Sequence, residues 1–399
     1  MDQSDLRVSS PRWPSLRLHI PMGLRRTVVP FLLSRLVIVL ILAIVPLIQH
    51  IPASQWLRDD SIVIKLNGKA VAEGLRDVAL GNDGAWYLGI AKNGYEHRPF
   101  SATQQANWAF FPLHPLLWRI MAKVTGEWLW SGILMVNLLT LAGWSMLWTL
   151  AEKLTQSMEQ ADDAVLFAAF WPTSYFMMLP QTEALFFSLV MITFLSAYYQ
   201  RWWLAGLAGM FAGTARLNGA FLLPSVVLRW FHGERKPHDL LKLLPMAGGI
   251  GAFMFYLWTI TGDPFAFKDI QIAWGREFTA PWTALLDYVH RPFRIATPWN
   301  PKLLNFLVTV TGIASIVTCW RRGWRGLATF TALTILAPLS TGTLMSMTRY
   351  VGIAPGVYLA LSVWTSRHKR FGQLCLAVFV VSMTLLCISF AAGINLGGA

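Results

Sequence analysis

The run VVPFLLSRLVIVLILAIVPLI, residues 28–48, decides the fold class of this chain. A helix needs roughly 20 predominantly apolar residues to cross the hydrocarbon layer of a bilayer, and this run meets that length. Basic residues collect on the cytoplasmic flank of such helices, and five arginines precede this one: Arg7, Arg12, Arg17, Arg25 and Arg26. The sequence therefore predicts an uncleaved first transmembrane helix with the N-terminus in the cytoplasm.

The composition of the whole chain agrees with a membrane protein. Only 13% of the residues are charged and 55% are hydrophobic, whereas soluble domains average about a quarter charged residues. The net charge of +13 would suit a nucleic-acid partner, but the basic residues form short clusters between apolar runs, as the positive-inside rule predicts. We therefore expect the lipid bilayer as partner and no nucleic acid. Three cysteines without CxxC spacing indicate neither a disulfide framework nor a zinc site.

Ten further apolar runs are predicted to cross the membrane. They are 128–150, 164–179, 184–199, 203–215, 217–231, 243–261, 303–320, 326–340, 350–365 and 371–394. Eleven crossings place the basic connectors 232–242, 321–325 and 366–370 inside and the C-terminus outside. The run 109–124 could be another span, but its two prolines and Arg119 favour a helix lying along the interface. The prediction is an all-α polytopic membrane protein.

The domain organisation follows from these crossings. We predict one membrane domain, 1–399, because no repeat of fixed period and no low-complexity tract divides the chain. Two long segments, 49–127 and 262–302, fall on the extracytoplasmic side. Both combine polar with aromatic residues, as expected of helices that lie on a membrane surface.

Asp83 is the candidate catalytic residue of the first outer segment. It opens the aromatic, glycine-rich stretch DGAWYLGIAKNGY (83–95), which NWAFFPLHPLL (107–117) follows. A partly desolvated carboxylate can accept a proton from a hydroxyl group. The alternative is that Asp83 only caps a helix that begins near Gly84.

The short outer turns supply further charged residues. PQTEAL (180–185), TARLNG (214–219) and SMTRYVG (346–352) bring Glu183, Arg216 and Arg349 to the face that carries Asp83. A charge near hydrocarbon is costly, so each is a functional candidate, with the arginines as phosphate contacts. The alternative is that they reach water or pair with one another, for example Glu183 with Arg216.

Other polar and aromatic residues of the outer face are candidate substrate contacts. The first segment offers side chains that could stack on or hydrogen-bond a sugar, although such residues also form the aromatic belt of membrane proteins. The second segment could act as a lid. The candidates are Trp86, Tyr87, Tyr95, Trp108, His114, Glu183, Asn218, Gln271, Trp274 and Arg276.

One carboxylate with several cations at a membrane surface suits glycosyl transfer from a polyprenyl phosphate. A base removes the proton of the acceptor hydroxyl group while cations stabilise the departing phosphate. The sequence contains no GxxxxGK[ST], no GxGxxG opening a helix and no DxD run on a soluble domain, which favours a lipid-linked donor over a sugar nucleotide. We expect no cofactor and no divalent metal.

Six of these motifs resemble the PIG-V family of mannosyltransferases, integral-membrane enzymes of the GT-C fold class. They occur in family order between Asp83 and Tyr358: DGAWYLGIAKNGY, FFPLHPLL, PTSYFMMLPQTEALFF (172–187), ARLNGAFLLP (215–224), GDPFAF with QIAWGRE, and MTRYVGIAPG (347–356). The Trp-Asp element of the family falls on Asn82 and Asp83, so the acidic residue is kept and the aromatic residue is replaced.

The resemblance implies a GT-C-like bundle and an inverting transfer with Asp83 as base. The family's donor is dolichyl-phosphate mannose, so mannose is the expected sugar. The chain has no NxS/T acceptor site, and we expect a bacterial relative in the inner membrane with an extracytoplasmic active site. Its donor would be a polyprenyl-phosphate sugar and its acceptor a glycolipid, glycan or protein.

Two other classes of function remain open from the sequence. A transporter or lipid flippase would also be polytopic, and such proteins often show internal repeats and broken helices near the midplane, neither of which is clear in this sequence. A scaffold subunit that positions another enzyme is the third hypothesis.

Overall fold

The structure is a computed structural model that describes residues 21–49, 68–81, 83–231, 236–292 and 301–394. Within these ranges the secondary structure is helical, without strands. The α-helices are α1 (Met22–Gln49), α2 (Gly68–Ala79), α3 (Asp83–Asn93), α4 (Leu113–Thr125), α5 (Leu129–Thr155), α6 (Met158–Ala169), α7 (Thr182–Tyr198), α8 (Trp202–Ala215), α9 (Leu222–Phe231), α10 (His238–Leu241), α11 (Pro245–Thr261), α12 (Ala266–Asp269), α13 (Thr283–His290), α14 (Pro301–Arg321), α15 (Arg325–Leu339), α16 (Met347–Gly352), α17 (Pro355–Ser366) and α18 (Lys369–Ala391). Short 3-10 helices cover Asn107–Ala109, Ser174–Met177, Leu217–Phe221 and Ile270–Trp274.

Several helices have the length and composition of membrane spans. Five described segments are long and apolar enough to cross a bilayer: Met22–Val45, Leu129–Thr155, His238–Thr261, Lys302–Arg321 and Lys369–Ala391. Three shorter apolar helices accompany them: Thr182–Tyr198, Leu217–Phe231 and Arg325–Leu339. An all-α polytopic membrane protein is therefore the fold class, while the number of eleven crossings stays a prediction.

Two predicted spans are not continuous helices. In the run 164–179, α6 ends at Ala169 and a 3-10 helix begins at Ser174. Pro172 stands in this break, and the residue before a proline avoids the helical conformation. In the run 350–365, α16 ends at Gly352 and α17 begins at Pro355, and a first helical turn is the preferred place for a proline because its N–H would have no partner there. Each of these runs therefore contains a break, and their crossing of the membrane stays a prediction.

The break after α6 is tied to α16 through hydrogen bonds. The indole of Trp171 donates to the carbonyl of Thr348 at 2.8 Å. The backbone N–H of Thr348 donates to the side-chain oxygen of Asn305, near the start of α14, at 3.1 Å. These bonds hold the break after α6 and the start of α14 against α16, the helix that carries Arg349.

Helix α7 lies at the centre of the bundle. Nearly every residue of α7 is buried, and the helix packs against α5 and α8. Small residues allow α8 and α11 to approach closely: a Cβ on Gly206 would overlap the carbonyl of Lys242, and one on Gly249 would overlap the carbonyl of Met210. The first turn of α7, with Glu183, is consequently held in a fixed position.

The run 109–124 forms the amphipathic helix α4. Its 13 residues cover about 20 Å at 1.5 Å per residue, too little to cross the hydrocarbon layer. His114, Trp118 and Ala122 are buried while Leu116, Ile120 and Val124 are exposed. Arg119 donates to the carbonyls of Ile90 and Ala91, which satisfies the last carbonyls of α3.

Arg35, inside the first span, does not reach toward water as a long basic side chain near a helix end usually does. The residue is only 7% exposed. Its guanidinium donates to the side-chain oxygen of Asn137 at 2.7 Å and to the carbonyl of Met177 at 3.1 Å, and it lies over the rings of Phe31 and Trp144. Polar acceptors inside the bundle replace water around this guanidinium group.

Candidate functional site

Four ionisable residues from distant parts of the chain meet at one place. Arg349 Nη1 donates to Asp83 Oδ2 at 2.8 Å, and Arg349 Nε donates to Glu183 Oε1 at 2.9 Å. The same Glu183 oxygen accepts from Arg216 Nη1 at 2.8 Å. Asp83 opens α3, Glu183 lies in the first turn of α7, Arg216 follows α8 and Arg349 lies in α16. We call these four residues the acidic–basic cluster.

Burial differs sharply among the members of the cluster. The side chain of Glu183 is 3% exposed, those of Arg349 and Arg216 are 13% and 15% exposed, and that of Asp83 is 34% exposed. Two carboxylates and two guanidinium groups leave no net charge, which makes the burial tolerable. Burial lowers the pKa of Arg349, but Glu183 and Asp83 outweigh this and raise it above its ordinary value. Asp83 is the member that an incoming molecule can reach.

Gln181 contacts the acidic–basic cluster and was not predicted from the sequence. Its side-chain oxygen accepts from Arg349 Nη2 at 3.0 Å. Gln181 is fully buried in the extended residue before α7, and its amide nitrogen has no hydrogen-bond partner among the described residues. Glu183 Oε2 is in the same condition. The turn PQTEAL pointed to this place, but only the fold shows which side chains face Arg349.

Tyr350 links the cluster to the second predicted outer segment and was also missed. Its ring lies 5.7 Å from the guanidinium carbon of Arg216. Its hydroxyl oxygen is 3.5 Å from Arg276 Nη1, which also donates to Gln271 at 3.1 Å. Burial raises the pKa of Tyr350, whereas Arg276, Arg216 and Arg349 together lower it below its ordinary value of 10. A tyrosine next to an arginine in MTRYVG could have suggested this contact.

Arg276 differs from the other two arginines in its partners. No carboxylate of a described residue lies within 4.0 Å of its guanidinium group, and its Nε has no hydrogen bond to a described residue. Its neighbours Gln271 and Tyr350 are neutral polar groups. Arg276 therefore contributes a positive charge that the described part of the site leaves uncompensated.

An aromatic wall stands beside the cluster. The ring of Trp86 stacks on Phe110 with centroids 5.6 Å apart, and Trp274 meets Trp86 edge-on at 6.1 Å. Trp86 and Trp274 are partly exposed. The wall joins the two predicted outer segments, since α3 supplies Trp86 and the 3-10 helix after α12 supplies Trp274. Partly exposed indole rings of this kind can stack on a sugar ring.

Four predicted contact residues have structural partners instead of an open surface. Trp108 is fully buried and its indole donates to the carbonyl of Glu96 at 2.9 Å, while the hydroxyl of Tyr95 donates to the carbonyl of Phe110 at 2.6 Å. His114 is fully buried beneath Tyr87, with ring centroids 5.0 Å apart. Asn218 is buried behind Arg216, and its amide nitrogen has no partner among the described residues. A direct sugar contact by these four stays a prediction, which burial does not favour for Trp108, His114 and Asn218.

Tyr87 lies between these supports and the cluster. It is buried, and its hydroxyl donates to Thr182 Oγ1 over 3.4 Å. Thr182 Oγ1 in turn accepts from Arg216 Nη1 at 3.3 Å. The hydroxyl group of Thr182 thus links Tyr87 to Arg216 of the cluster.

Comparison with known proteins gives no family for this chain. No family model matches it, and no curated protein matches it. Membership of the PIG-V family accordingly remains a proposal that depends on the six motifs.

The geometry permits proton transfer and anion binding at the same place. Asp83 offers a reachable carboxylate, Trp86 of the aromatic wall follows one turn later on α3, and Arg276 contacts Tyr350, the neighbour of Arg349. Among the described residues no group of three or more His, Cys, Asp or Glu side chains could hold a metal ion. Between Asp83 and Glu183, where a cation would neutralise both carboxylates, the structure has the guanidinium of Arg349.

Proposed function

We propose that this protein is a glycosyltransferase that moves a sugar from a polyprenyl-phosphate carrier to an acceptor hydroxyl group. The single observation that supports this most is the placement of Asp83. It is the most exposed member of a buried cluster with two guanidinium groups, beside an uncompensated arginine and two partly exposed indole rings. A base, a cation and a stacking surface are what the reaction requires.

In the proposed reaction Asp83 accepts the proton of the acceptor hydroxyl group. The acceptor oxygen then attacks the anomeric carbon of the donor as the bond from that carbon to the phosphate oxygen breaks. The phosphate leaves with the bonding electron pair and stays on the polyprenyl chain. One in-line displacement of this kind inverts the anomeric centre and requires no redox cofactor and no covalent sugar–enzyme intermediate.

In this proposal the arginines have different roles. Arg349 is engaged with Asp83, Gln181 and Glu183, so its first effect is to hold Asp83 in position. The hydrogen-bond partners of Arg276 among the described residues, Gln271 and Tyr350, are neutral, and we assign the donor phosphate to Arg276 with help from Arg216. The wall of Trp86 and Trp274 would stack on the sugar.

The finer features of the fold belong to this proposal as well. We propose a GT-C-like bundle of about eleven crossings, a place in the bacterial inner membrane and an extracytoplasmic active site. The basic connectors at 321–325 and 366–370 support this orientation through the positive-inside rule. Mannose is the proposed sugar on the strength of the six motifs.

The test uses the full chain purified in detergent. Radiolabelled polyprenyl-phosphate mannose and a membrane lipid extract are added, and labelled products are identified. Asp83→Asn is compared with the wild type and with Asp77→Asn, a matched change at an exposed carboxylate of α2. We expect Asp83→Asn to lose roughly a thousandfold in rate, because general base catalysis contributes about 10²–10⁴-fold. Equal rates for both variants would remove Asp83 from the mechanism.

A transporter or lipid flippase is the second candidate, and one observation favours it. The breaks at 170–173 and 353–354 are of the kind that transporters use to bind substrates inside the membrane. Introduced cysteines near Glu183 and Arg216 would distinguish the two functions. Labelling from one side only supports the enzyme, whereas labelling from both sides in alternating states supports transport.

A further inference from the structure

A cleft of about 390 Å³ lies far from the acidic–basic cluster. The C-terminal end of α14 and the C-terminal end of α17 form it, and its lining residues are Thr318, Arg321, Arg322, Val363, Trp364 and Arg367. Asn305, which bonds to the neighbour of Arg349, lies 16 residues before Arg321 on α14. At 1.5 Å per residue the cleft is about 24 Å from the cluster along that helix, at the opposite end of the bundle.

The cleft combines three guanidinium groups without an acidic partner. No carboxylate of a described residue lies within 4.0 Å of Arg321, Arg322 or Arg367, although elsewhere Arg26 pairs with Asp162 at 3.3 Å and Lys369 pairs with Glu159 at 3.1 Å. Each helix C-terminus contributes about half a negative elementary charge, so two helix ends offset roughly one of the three positive charges. A clear excess of positive charge faces the cleft.

The inner side of the cleft has a fixed shape and a partly polar lining. The indole of Trp364 donates to Thr318 Oγ1 at 2.9 Å, which fixes the ring between α14 and α17. Val363 is buried next to it. The volume falls within the roughly 300–1,000 Å³ typical of ligand sites, and the arginines line a cleft that is open on its outer side.

We propose that this cleft binds a phosphate group, either that of an anionic lipid headgroup or that of a soluble phosphate. Guanidinium groups match phosphate oxygens with paired hydrogen bonds. Basic pockets between transmembrane helices bind anionic headgroups in the same manner, and Trp364 supplies the amphipathic ring expected at the membrane boundary. The positive-inside rule explains basic residues at helix ends, but it does not require three of them to converge on one cleft. The inference does not depend on the glycosyltransferase proposal.

The experiment measures the thermal unfolding midpoint of the full chain in detergent. Three probes are added separately at rising concentration: dioctanoyl phosphatidylglycerol, dioctanoyl phosphatidylcholine and inorganic phosphate. A ligand that binds only the folded protein raises the midpoint as its concentration rises. We expect phosphatidylglycerol to raise it and phosphatidylcholine to leave it unchanged. An equal shift with inorganic phosphate would identify a soluble phosphate as the ligand, and no shift with either anion would overturn the proposal.

The double variant Arg322→Gln/Arg367→Gln locates the effect. It should need at least about tenfold more phosphatidylglycerol for the same shift, while its midpoint without lipid stays that of the wild type because both side chains are exposed. Arg201→Gln/Lys236→Gln removes two positive charges at exposed residues outside the cleft and serves as the matched control. A response of the Arg322/Arg367 variant equal to that of the control would refute binding in the cleft.

Discussion

Glu183 and Arg349 are joined through a single carboxylate oxygen. Arg349 Nε and Nη2 both donate to Glu183 Oε1, at 2.9 and 2.5 Å, and Arg216 adds a third hydrogen bond to the same atom. The other oxygen of Glu183 has no partner among the described residues. Glu183 is therefore the counter-charge that holds two arginines inside the bundle, and Asp83 is oriented through the arginine that Glu183 fixes.

Glu183→Gln should destabilise the protein strongly. The substitution leaves Arg216 and Arg349 buried with only Asp83 as counter-charge, and breaking a buried ion pair from one side costs about 3–5 kcal/mol. We expect a lower thermal unfolding midpoint in detergent. Glu159→Gln, which removes an exposed glutamate paired with Lys369, is the matched control and should change the midpoint little. Equal midpoints for both variants would show that Glu183 is not the structural counter-charge.

Arg276→Gln should weaken donor binding without affecting the fold. Arg276 has no described carboxylate partner, so its removal creates no unpaired charge. Loss of one charge-assisted hydrogen bond of about 1.4 kcal/mol or more corresponds to at least tenfold weaker binding. The KM for the lipid donor should rise about tenfold, with the unfolding midpoint unchanged. Arg291→Gln, at an exposed residue of the same predicted segment, should keep the wild-type KM. A tenfold loss confined to kcat would argue against a binding role for Arg276.

Tyr350 should ionise below the ordinary pKa of tyrosine. Burial opposes ionisation, but Arg276, Arg216 and Arg349 favour the phenolate and lower the pKa below 10. The difference between the ultraviolet titration curves of the wild type and Tyr350→Phe should show one phenolate whose midpoint lies below pH 10. In Arg276→Gln the same absorbance should appear at higher pH, since one of the three cations is gone. Titration curves of wild type and Tyr350→Phe that coincide up to pH 10 would contradict the contact.

The hydropathy pattern predicted the helical membrane fold but not its interruptions. The run 28–48 lies within α1, and all but the first residue of 128–150 lies within α5, since long apolar runs have few alternatives to a spanning helix. Two other predicted spans are interrupted near Pro172 and Pro355, because an average of hydropathy over a run does not report a local break of the backbone. The first outer segment, 49–127, is described only in part, and Asn82 lies outside the described residues.

The candidate site was predicted in outline. Asp83, Glu183, Arg216 and Arg349 do meet, and the alternative in which Glu183 pairs with Arg216 is also observed. The catalytic and substrate-binding roles stay predictions. Gln181 was missed because the side chain that faces the cluster depends on the extended backbone before α7, which no sequence pattern reports.

The buried residue His114, which packs against Tyr87, should make the stability of the protein depend on pH. Burial lowers its pKa from 6.5 to about 4, although the nearby Pro180 carbonyl and Glu183 act in the opposite direction. The folded state therefore favours the neutral ring. Its contribution is fully present above pH 6.5 and is lost as the pH falls from 6.5 to 4, by about 3 kcal/mol at 1.36 kcal/mol per pKa unit.

This loss can be measured as the unfolding midpoint against pH for the wild type, His114→Gln and the exposed control His290→Gln. Between pH 6.5 and 4 the midpoint of the wild type and of His290→Gln should fall more steeply than that of His114→Gln, which has no imidazole to protonate at that position. At pH 8, where the ring is neutral in both folded and unfolded chains, the difference between the variants reflects packing alone. Parallel curves for all three proteins would mean that His114 is exposed to water in the folded state. Such exposure would contradict the packing of Tyr87 against His114.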